Sequence, residues 1–434
     1  VGENFKLKKI LIISPHFPPS NLAAVHRSRL FAIHLPKFGW QPIILTVHEK
    51  YYEEELDWNL TKLLPEDLRI EKVKALPTKP IRIVGDIGIR GFIPLLFRTI
   101  KLIKKEKIDF LYIPIPSNYT SLIGRIVKYF TGIKYGIDYI DPWVHKFPGS
   151  EVKYSKHWFA MKLADILEPI AVKKVSLITG VAEGYYNAVL ERNPQLKNSC
   201  IFAAMPYGGE AKDHERLKEL KLEPYLFNNN KNKYQFVYAG AMLPKAYEPL
   251  KRIFESLAND KELCDKIEFH FIGTGKHPND EQGFNIKPFA LKYGLWEKVI
   301  FEYPKRIPYL DVLVHLQAAD GVFILGSTEP HYTPSKVYQG VLSEKPILAV
   351  LHSLSTAVEV IRKSKAGLVL DFNGESELEK IKSEFNAVLK SYLHFANDFN
   401  PEKVDKTEFE KYSAYNVTGI LAEALNKVMN IKII

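Results

Sequence analysis

Lys9-Ile-Leu-Ile-Ile-Ser14 is followed by the turn His16-Phe-Pro-Pro-Ser20, a run from Ala24 to Phe38 that stops at Gly39, and Gln41-Pro-Ile-Ile-Leu-Thr-Val47. The two outer pieces are short apolar runs without alternation, which is how strands buried on both faces read. The middle piece has the length of a helix and ends on a glycine. Strand, helix and strand at this spacing predict a βαβ unit with a buried parallel sheet.

The same reading extends outward. Strands are expected at Ile108–Pro114, Lys134–Tyr139, Ser176–Gly180 and Cys200–Met205, with helices at Tyr119–Phe130 and Trp158–Lys174. A second series begins at Tyr234–Ala239 and continues through Ile267–Gly273, Val299–Tyr303, Gly321–Leu325, Pro346–Val350 and Gly367–Leu370. The expected fold class is α/β, with two Rossmann-like open parallel-sheet domains facing a cleft. The expected division is residues 1–210, a polar linker at 211–233, a second domain at 234–400, and a C-terminal segment, 401–434, whose helix packs back towards the first domain. In such sheets ligands bind beyond the carboxyl ends of the strands.

The totals narrow the function. At 434 residues, 46% hydrophobic and 25% charged, the chain suits a folded protein of two or three domains. Cys200 and Cys264 stand far apart and form no metal or disulfide spacing, which fits a reducing compartment. No run approaches the roughly 20 apolar residues of a membrane span, and no secretory segment is recognised, so a cytoplasmic location is expected. The net charge of +10 lies entirely in residues 1–210, with 30 Lys+Arg against 20 Asp+Glu; the rest carries 30 of each. That half favours an anionic partner. Residues 85–107 interleave Ile87, Phe92, Leu96 and Ile100 with Arg90, Arg98, Lys101 and Lys104, and read as a loop plus a basic amphipathic helix. It suits either peripheral contact with an anionic membrane, at the inner face of a cell membrane, or a core helix whose basic face is solvated. No nucleic-acid motif accompanies the charge, so nucleic acid is not an expected partner.

The richest stretch runs from Ala319 to Ala349. A strand enters a polar loop, and Thr333-Pro334-Ser335 opens a helix. The free amides of that first turn and the charge of Lys336 suit a diphosphate. The stretch resembles the retaining glycosyltransferases of family 4 in the GT-B class, on Pro334-Ser335-Lys336, Tyr338-Gln339 and Glu344-Lys345-Pro346-Ile347. The resemblance implies transfer of a sugar from a nucleotide-diphosphate sugar to a glycan or lipid-linked acceptor, with retention, with no metal and no cofactor beyond the donor co-substrate. Where the family has two glutamates eight positions apart, this chain has His331 and Gln339. His331 is then expected to face the transferred sugar, with Glu329 as a substitute, and Gln339 to hold the ribose.

The resemblance also places Lys245, Gly240, Thr333, Ser335 and Lys336 on the donor diphosphate. Gly273, in the Phe271-Ile-Gly-Thr-Gly275 turn, and Arg306 and Ile307 fall where the family contacts the ribose or base. In the first domain His16 and Arg27 belong to the opening loop and face sugar or acceptor; Arg27 reads as an acceptor-phosphate ligand or a helix-surface residue. Asp138-Tyr-Ile-Asp-Pro-Trp143 is similar to the family's Asp-x-x-Asp-Pro-Trp. Asp141 is the expected catalytic contact, His145 its runner-up, and Trp143 lies beside them. Two alternatives stay open: a nucleotide-sugar epimerase, and a binding protein that keeps the fold without turnover.

Overall fold

A computed structural model describes residues 7–80, 84–115, 117–144, 152–228, 232–277, 279–329 and 336–430, without the side chains of Pro244 and Lys336. The chain divides into two compact units, Val1–Tyr207 with Ala414–Ile434, and Gly208–Ser413.

The first unit holds strands β1 (Lys8–Ile13), β2 (Trp40–Val47), β3 (Arg69–Val73), β4 (Phe110–Ile115), β5 (Lys134–Tyr139), β6 (Leu177–Gly180) and β7 (Ile201–Ala204). They form one parallel sheet in the order β3-β2-β1-β4-β5-β6-β7. Both faces are covered, as the continuous apolar runs require. One face carries the Phe92–Glu106, Ser121–Thr131 and Lys156–Val172 helices in that spatial order. The other carries Ala24–His34 and the returning Ala414–Asn430 helix, whose Val417, Leu421 and Leu425 pack against Ile10, Ile12 and Trp40. Asn426 Oδ1 accepts from Trp40 Nε1 at 3.2 Å, and Lys134 Nζ donates to Val428 O at 2.8 Å.

The second unit holds β8 (Tyr234–Ala239), β9 (Ile267–Ile272), β10 (Ile300–Tyr303), β11 (Gly321–Leu325), β12 (Ile347–His352) and β13 (Gly367–Phe372). These too are all parallel, in the order β10-β9-β8-β11-β12-β13. The chain reverses its direction of travel across each sheet once, between β1 and β4 in the first and between β8 and β11 in the second. Those two places are the switch points where such sheets open a crevice. Among the described residues no helix is long and apolar enough to cross a membrane.

Several expectations are corrected. β3, Arg-Ile-Glu-Lys-Val, is a strand that the apolar pattern does not announce. It is an edge strand, and edge strands carry charge; Arg69 and Arg98 both pair with Glu71. The run expected as one helix to Phe38 is α-helical only to His34, and Pro36 sits in a following 3-10 turn, Leu35–Phe38. Residues 211–233 are not a free connector. The Ala211–Glu219 helix packs on the Tyr309–Ala318 helix, and His315 Nε2 accepts from the amides of Tyr225 and Leu226 at 3.1 Å each. The second unit also runs past 400. The Lys406–Glu410 helix packs on Thr356–Ser364, and Tyr412 stacks on Tyr338 at 5.2 Å, so the returning segment starts at Ala414.

Candidate functional site

In the second unit, three neighbouring strands each end on a glycine: Gly273 after β9, Gly240 after β8 and Gly326 after β11. The pair Gly240 and Gly326 brackets the switch point. Gly240 and Gly273 have φ of 112° and 71°, the left-handed region that side chains disfavour. Their amides stay in the sheet ladder, Gly240 N donating to Ile272 O at 2.7 Å and Gly273 N to Tyr303 O at 2.8 Å. A Cβ on Gly273 would lie 3.7 Å from Arg306 Cα and 3.9 Å from Gly240 Cα. Glycine backbone with the Arg306 side chain beside it therefore lines this end of the sheet, and a ligand can approach it closely.

Arg306 leaves β10 at the same edge. It is half-buried, and among the described residues it has no hydrogen bond or ion pair. Burial lowers the pKa of its guanidinium, because no anion offsets the lost hydration. A desolvated cation without a counter-charge, beside exposed backbone at a strand terminus, is a receptor for an anion. Ile307 is half-buried in the same loop.

The neighbouring loops are held in place. Thr328 N donates to Lys245 O at 3.2 Å, and Lys245 Nζ lies 3.1 Å from Glu329 Oε1, so the loops after β8 and β11 are joined across the switch point. Both side chains are more than half exposed, and such a pair is worth at most about 1 kcal/mol. A ligand anion can take Lys245 from Glu329 at little cost. Behind β9, buried Glu302 accepts from Thr274 Oγ1 and from the amides of Asn285, Ile286 and Lys287 at 2.8–3.0 Å. It fixes the Gly273-Thr274 turn and caps the Lys287–Lys292 helix.

Gln339 is in a different situation from the one expected. Its Oε1 lies 3.0 Å from His214 Nε2, and its Nε2 donates to Tyr309 Oη at 2.9 Å. Gln317 Nε2 donates to His214 Nδ1 at 3.2 Å, and Tyr309 donates to Asp213 at 2.9 Å. These bonds form one directed relay, Gln317 to His214 to Gln339 to Tyr309 to Asp213. It requires a neutral His214 with its proton on Nε2, and burial lowers the His214 pKa accordingly. Both ends of the Gln339 amide thus serve the packing of three helices. His331, Thr333, Ser335 and the Lys336 side chain lie outside the described residues.

In the first unit Arg27 is buried, 3% exposed, rather than on the helix surface. Its Nε and Nη2 donate to the two oxygens of Asp138 at 2.5 and 3.0 Å, and its Nη1 donates to Pro206 O at 3.3 Å. Burial opposes the charge on Arg27, but Asp138 more than offsets it and the pKa is raised. Thr179 Oγ1 donates to Asp138 Oδ1 at 2.8 Å and accepts from Tyr112 Oη at 2.6 Å. This network ties Ala24–His34 to the carboxyl ends of β5 and β6. Arg27 is committed to it.

Asp141 is exposed just beyond β5, and its charge reaches half-buried Tyr207, whose pKa burial raises first and Asp141 raises further. Trp143 is not at a surface; it is a core residue, edge-on to Tyr119 at 5.8 Å. His16 Nδ1 lies 2.8 Å from Glu54 Oε1, and its ring packs on Tyr52 at 5.1 Å. Ser20 also donates to Glu54. His145 lies outside the described residues.

Sequence reasoning missed Gly326, Glu302, Glu54, Thr179 and the His214 relay. Gly326 had a signal: Tyr-Ala-Gly240, Phe-Ile-Gly273 and Ile-Leu-Gly326 are three apolar runs that end alike. The others depend on partners far away in sequence.

Sequence comparison finds no matching family model and no matching curated protein. Solved structures do match over nearly the whole chain. A glycosyltransferase from Rickettsia africae ESF-5 superposes with a TM-score of 0.60 at 15% identity, over 98% of this chain and 100% of that one. The fold is that of the GT-B class. Anabaena HepE in complex with UDP-glucose gives 0.60 at 12% identity, over 96% and 99% of the two chains. Sucrose-phosphate synthase from Thermosynechococcus elongatus gives 0.61 at 11% identity, over 97% and 99%. At these identities the likeness is one of GT-B architecture.

Proposed function

We propose that this chain is a GT-B glycosyltransferase that takes a sugar from a nucleotide-diphosphate sugar and passes it to a glycan or lipid-linked acceptor. The observation that carries this reading is Arg306, a half-buried guanidinium with no counter-ion among the described residues, set beside Gly273 at the carboxyl end of the second sheet, with Gly240 and the switch point on the far side of Gly273. A diphosphate fits all three features. Its oxygens meet Arg306 in a bidentate pair, its bulk fits where no side chain projects, and it draws Lys245 away from Glu329. The UDP-glucose held by Anabaena HepE supports a donor of this type.

In the reaction the bond from the anomeric carbon to the diphosphate oxygen breaks, and an acceptor oxygen forms the new bond. Arg306 and Lys245 stabilise the charge that gathers on the departing diphosphate, in the way a metal otherwise would. The departing oxygen can take the proton from the acceptor hydroxyl on the same face of the sugar, which gives retention without a strong base on the protein. Asp141, exposed beyond β5, orients the acceptor.

A second reading, nucleotide binding without turnover, is favoured by the engagement of Gln339 in the His214 relay. The two separate in one assay. Release of nucleoside diphosphate is followed with UDP-, GDP- and ADP-sugars, with and without lipid-linked and oligosaccharide acceptors. Acceptor-dependent release, lost in Asp141→Ala, supports transfer. Binding without release under any pairing supports the second reading.

A further inference from the structure

The Lys156–Val172 helix has an apolar inner side and an apolar outer side. Inward, Ala164, Ala171 and Val172 are buried against the first sheet, and Glu168 is buried against Arg192 at 2.7 Å. Outward, Phe159, Leu163, Ile166 and Ile170 are between 42% and 62% exposed. Their spacing of four, three and four places them on one stripe, within about 60° of arc at about 100° per residue. Surface residues of this kind are unremarkable singly; four in line on one helix are an interaction face.

The charges around the stripe say what it meets. On the same wheel Lys156 flanks it on one side and Lys162 on the other, and exposed Lys173 and Lys174 follow its last turn. Asp165 is the one exposed acid of the helix, and it points away from the stripe. At the amino end Tyr154, Trp158 and Phe159 form an aromatic cluster, with ring centroids 5.0 to 6.5 Å apart, and Lys162 Nζ lies 6.0 Å from the Trp158 ring. An apolar stripe flanked and followed by lysines, led by amphipathic aromatics, has the chemistry of a bilayer interface with anionic headgroups. The stripe enters the acyl boundary, the lysine stems lie along it, and the ammonium groups reach the phosphates.

We infer that the outer face of the Lys156–Val172 helix docks this chain on an anionic lipid bilayer. A second copy of the chain suits the face less well. A two-fold pairing along the stripe would set lysines against lysines. The stretch 85–107 is a weaker candidate than its sequence suggests. The Phe92–Glu106 helix spends Leu95 and Leu102 on the core and packs Leu96, Ile100 and Ile103 against it, leaving Ile93 and Phe97 outward. It lies in the same helical layer, two helices away, and can add contact at the margin. This inference is independent of the donor site and stands if the proposed transfer fails.

The test is co-sedimentation of the full chain with vesicles of phosphatidylcholine alone and of phosphatidylcholine mixed with phosphatidylglycerol. The wild-type chain is expected to sediment with the mixed vesicles only, and less so as salt is raised. Ile166→Glu is expected to lower the partition coefficient by about tenfold or more. The milder Phe159→Ser and Ile170→Ser should each lower it severalfold, with thermal melting unchanged because these side chains face solvent. Phe97→Glu should have the smaller effect. The inference is overturned if the wild-type chain ignores mixed vesicles, or if Ile166→Glu partitions like wild type. It is also overturned if Phe97→Glu alone abolishes binding, or if the chain is a dimer in solution that Ile166→Glu splits.

Discussion

Replacing Asp138 by Asn removes one charge and almost no volume, and it decides what Arg27 is for. Arg27 is 3% exposed and Asp138 is fully buried. The carboxylate takes two bonds from Arg27 and one from Thr179, and Arg27 gives its remaining bond to a backbone carbonyl. In Asp138→Asn the guanidinium stays buried against a neutral amide, and Arg27→Met leaves the carboxylate buried without its cation. Breaking a buried pair from one side costs about 3–5 kcal/mol, out of a total of about 5–15 kcal/mol for a domain. Removing both charges, in Arg27→Met with Asp138→Asn, spares the penalty of a stranded ion, so the double variant should cost less than the sum by about 3 kcal/mol or more. Urea unfolding of the wild-type chain and these three variants, followed by tryptophan emission, reads this cycle. Four of the five tryptophans, at positions 40, 58, 143 and 158, lie in the first unit, so its transition dominates the signal. If Asp138→Asn costs less than about 1 kcal/mol, or the two single effects add, the pair is not a structural lock. Arg27 would then be available to an acceptor phosphate.

Three further outcomes are expected. Burial pushes the His270 pKa down to about 4 and lowers those of His214 and His315, so all three are neutral in the fold. Their contribution is complete above the unfolded value of about 6.5 and is lost as pH falls towards the folded values; His270 alone should cost about 2 kcal/mol between pH 6.5 and 5. Urea midpoints across that range check it, and His270→Phe should flatten the slope. Gly273→Ala meets no atom closer than 3.7 Å but must adopt φ of 71°, at about 1–2 kcal/mol. It should fold and bind nucleoside diphosphate more weakly, as calorimetry would show. Gln339→Leu strands the His214 Nε2 proton and a bond to Tyr309, and should lower stability by about 1–3 kcal/mol. Unchanged stability with lost nucleotide affinity would instead return Gln339 to the ribose.

Much of the fold was legible because parallel strands buried on both faces are plain apolar runs, and β1, β5, β8 and β11 stand within a residue of where those runs lie. β3 was not, since an edge strand is written in charges. The end of the second unit was misplaced because Tyr412 reads as part of the returning C-terminal helix until Tyr338 is found stacked on it. At the site, the glycine-ended strands and Arg306 could be located from local pattern. Their meaning could not. Arg27 reads as an acceptor-phosphate ligand or a helix-surface residue until Asp138, 111 positions away, arrives beside it. Gln339 reads as a ribose ligand until His214, 125 positions away, takes its amide. Local sequence reports strand, helix and turn, but a polar side chain's role is set by what the topology brings to it.

Calorimetric titration of UDP, GDP and ADP into the wild-type chain and into Arg306→Ala addresses the donor site most directly. At least one of the three should bind the wild-type chain saturably. The variant should bind that nucleotide about 10- to 100-fold more weakly, as the loss of a charge-assisted bond implies, with no change in melting temperature. Equal affinity in the two proteins, or no binding of any of the three, would contradict the account.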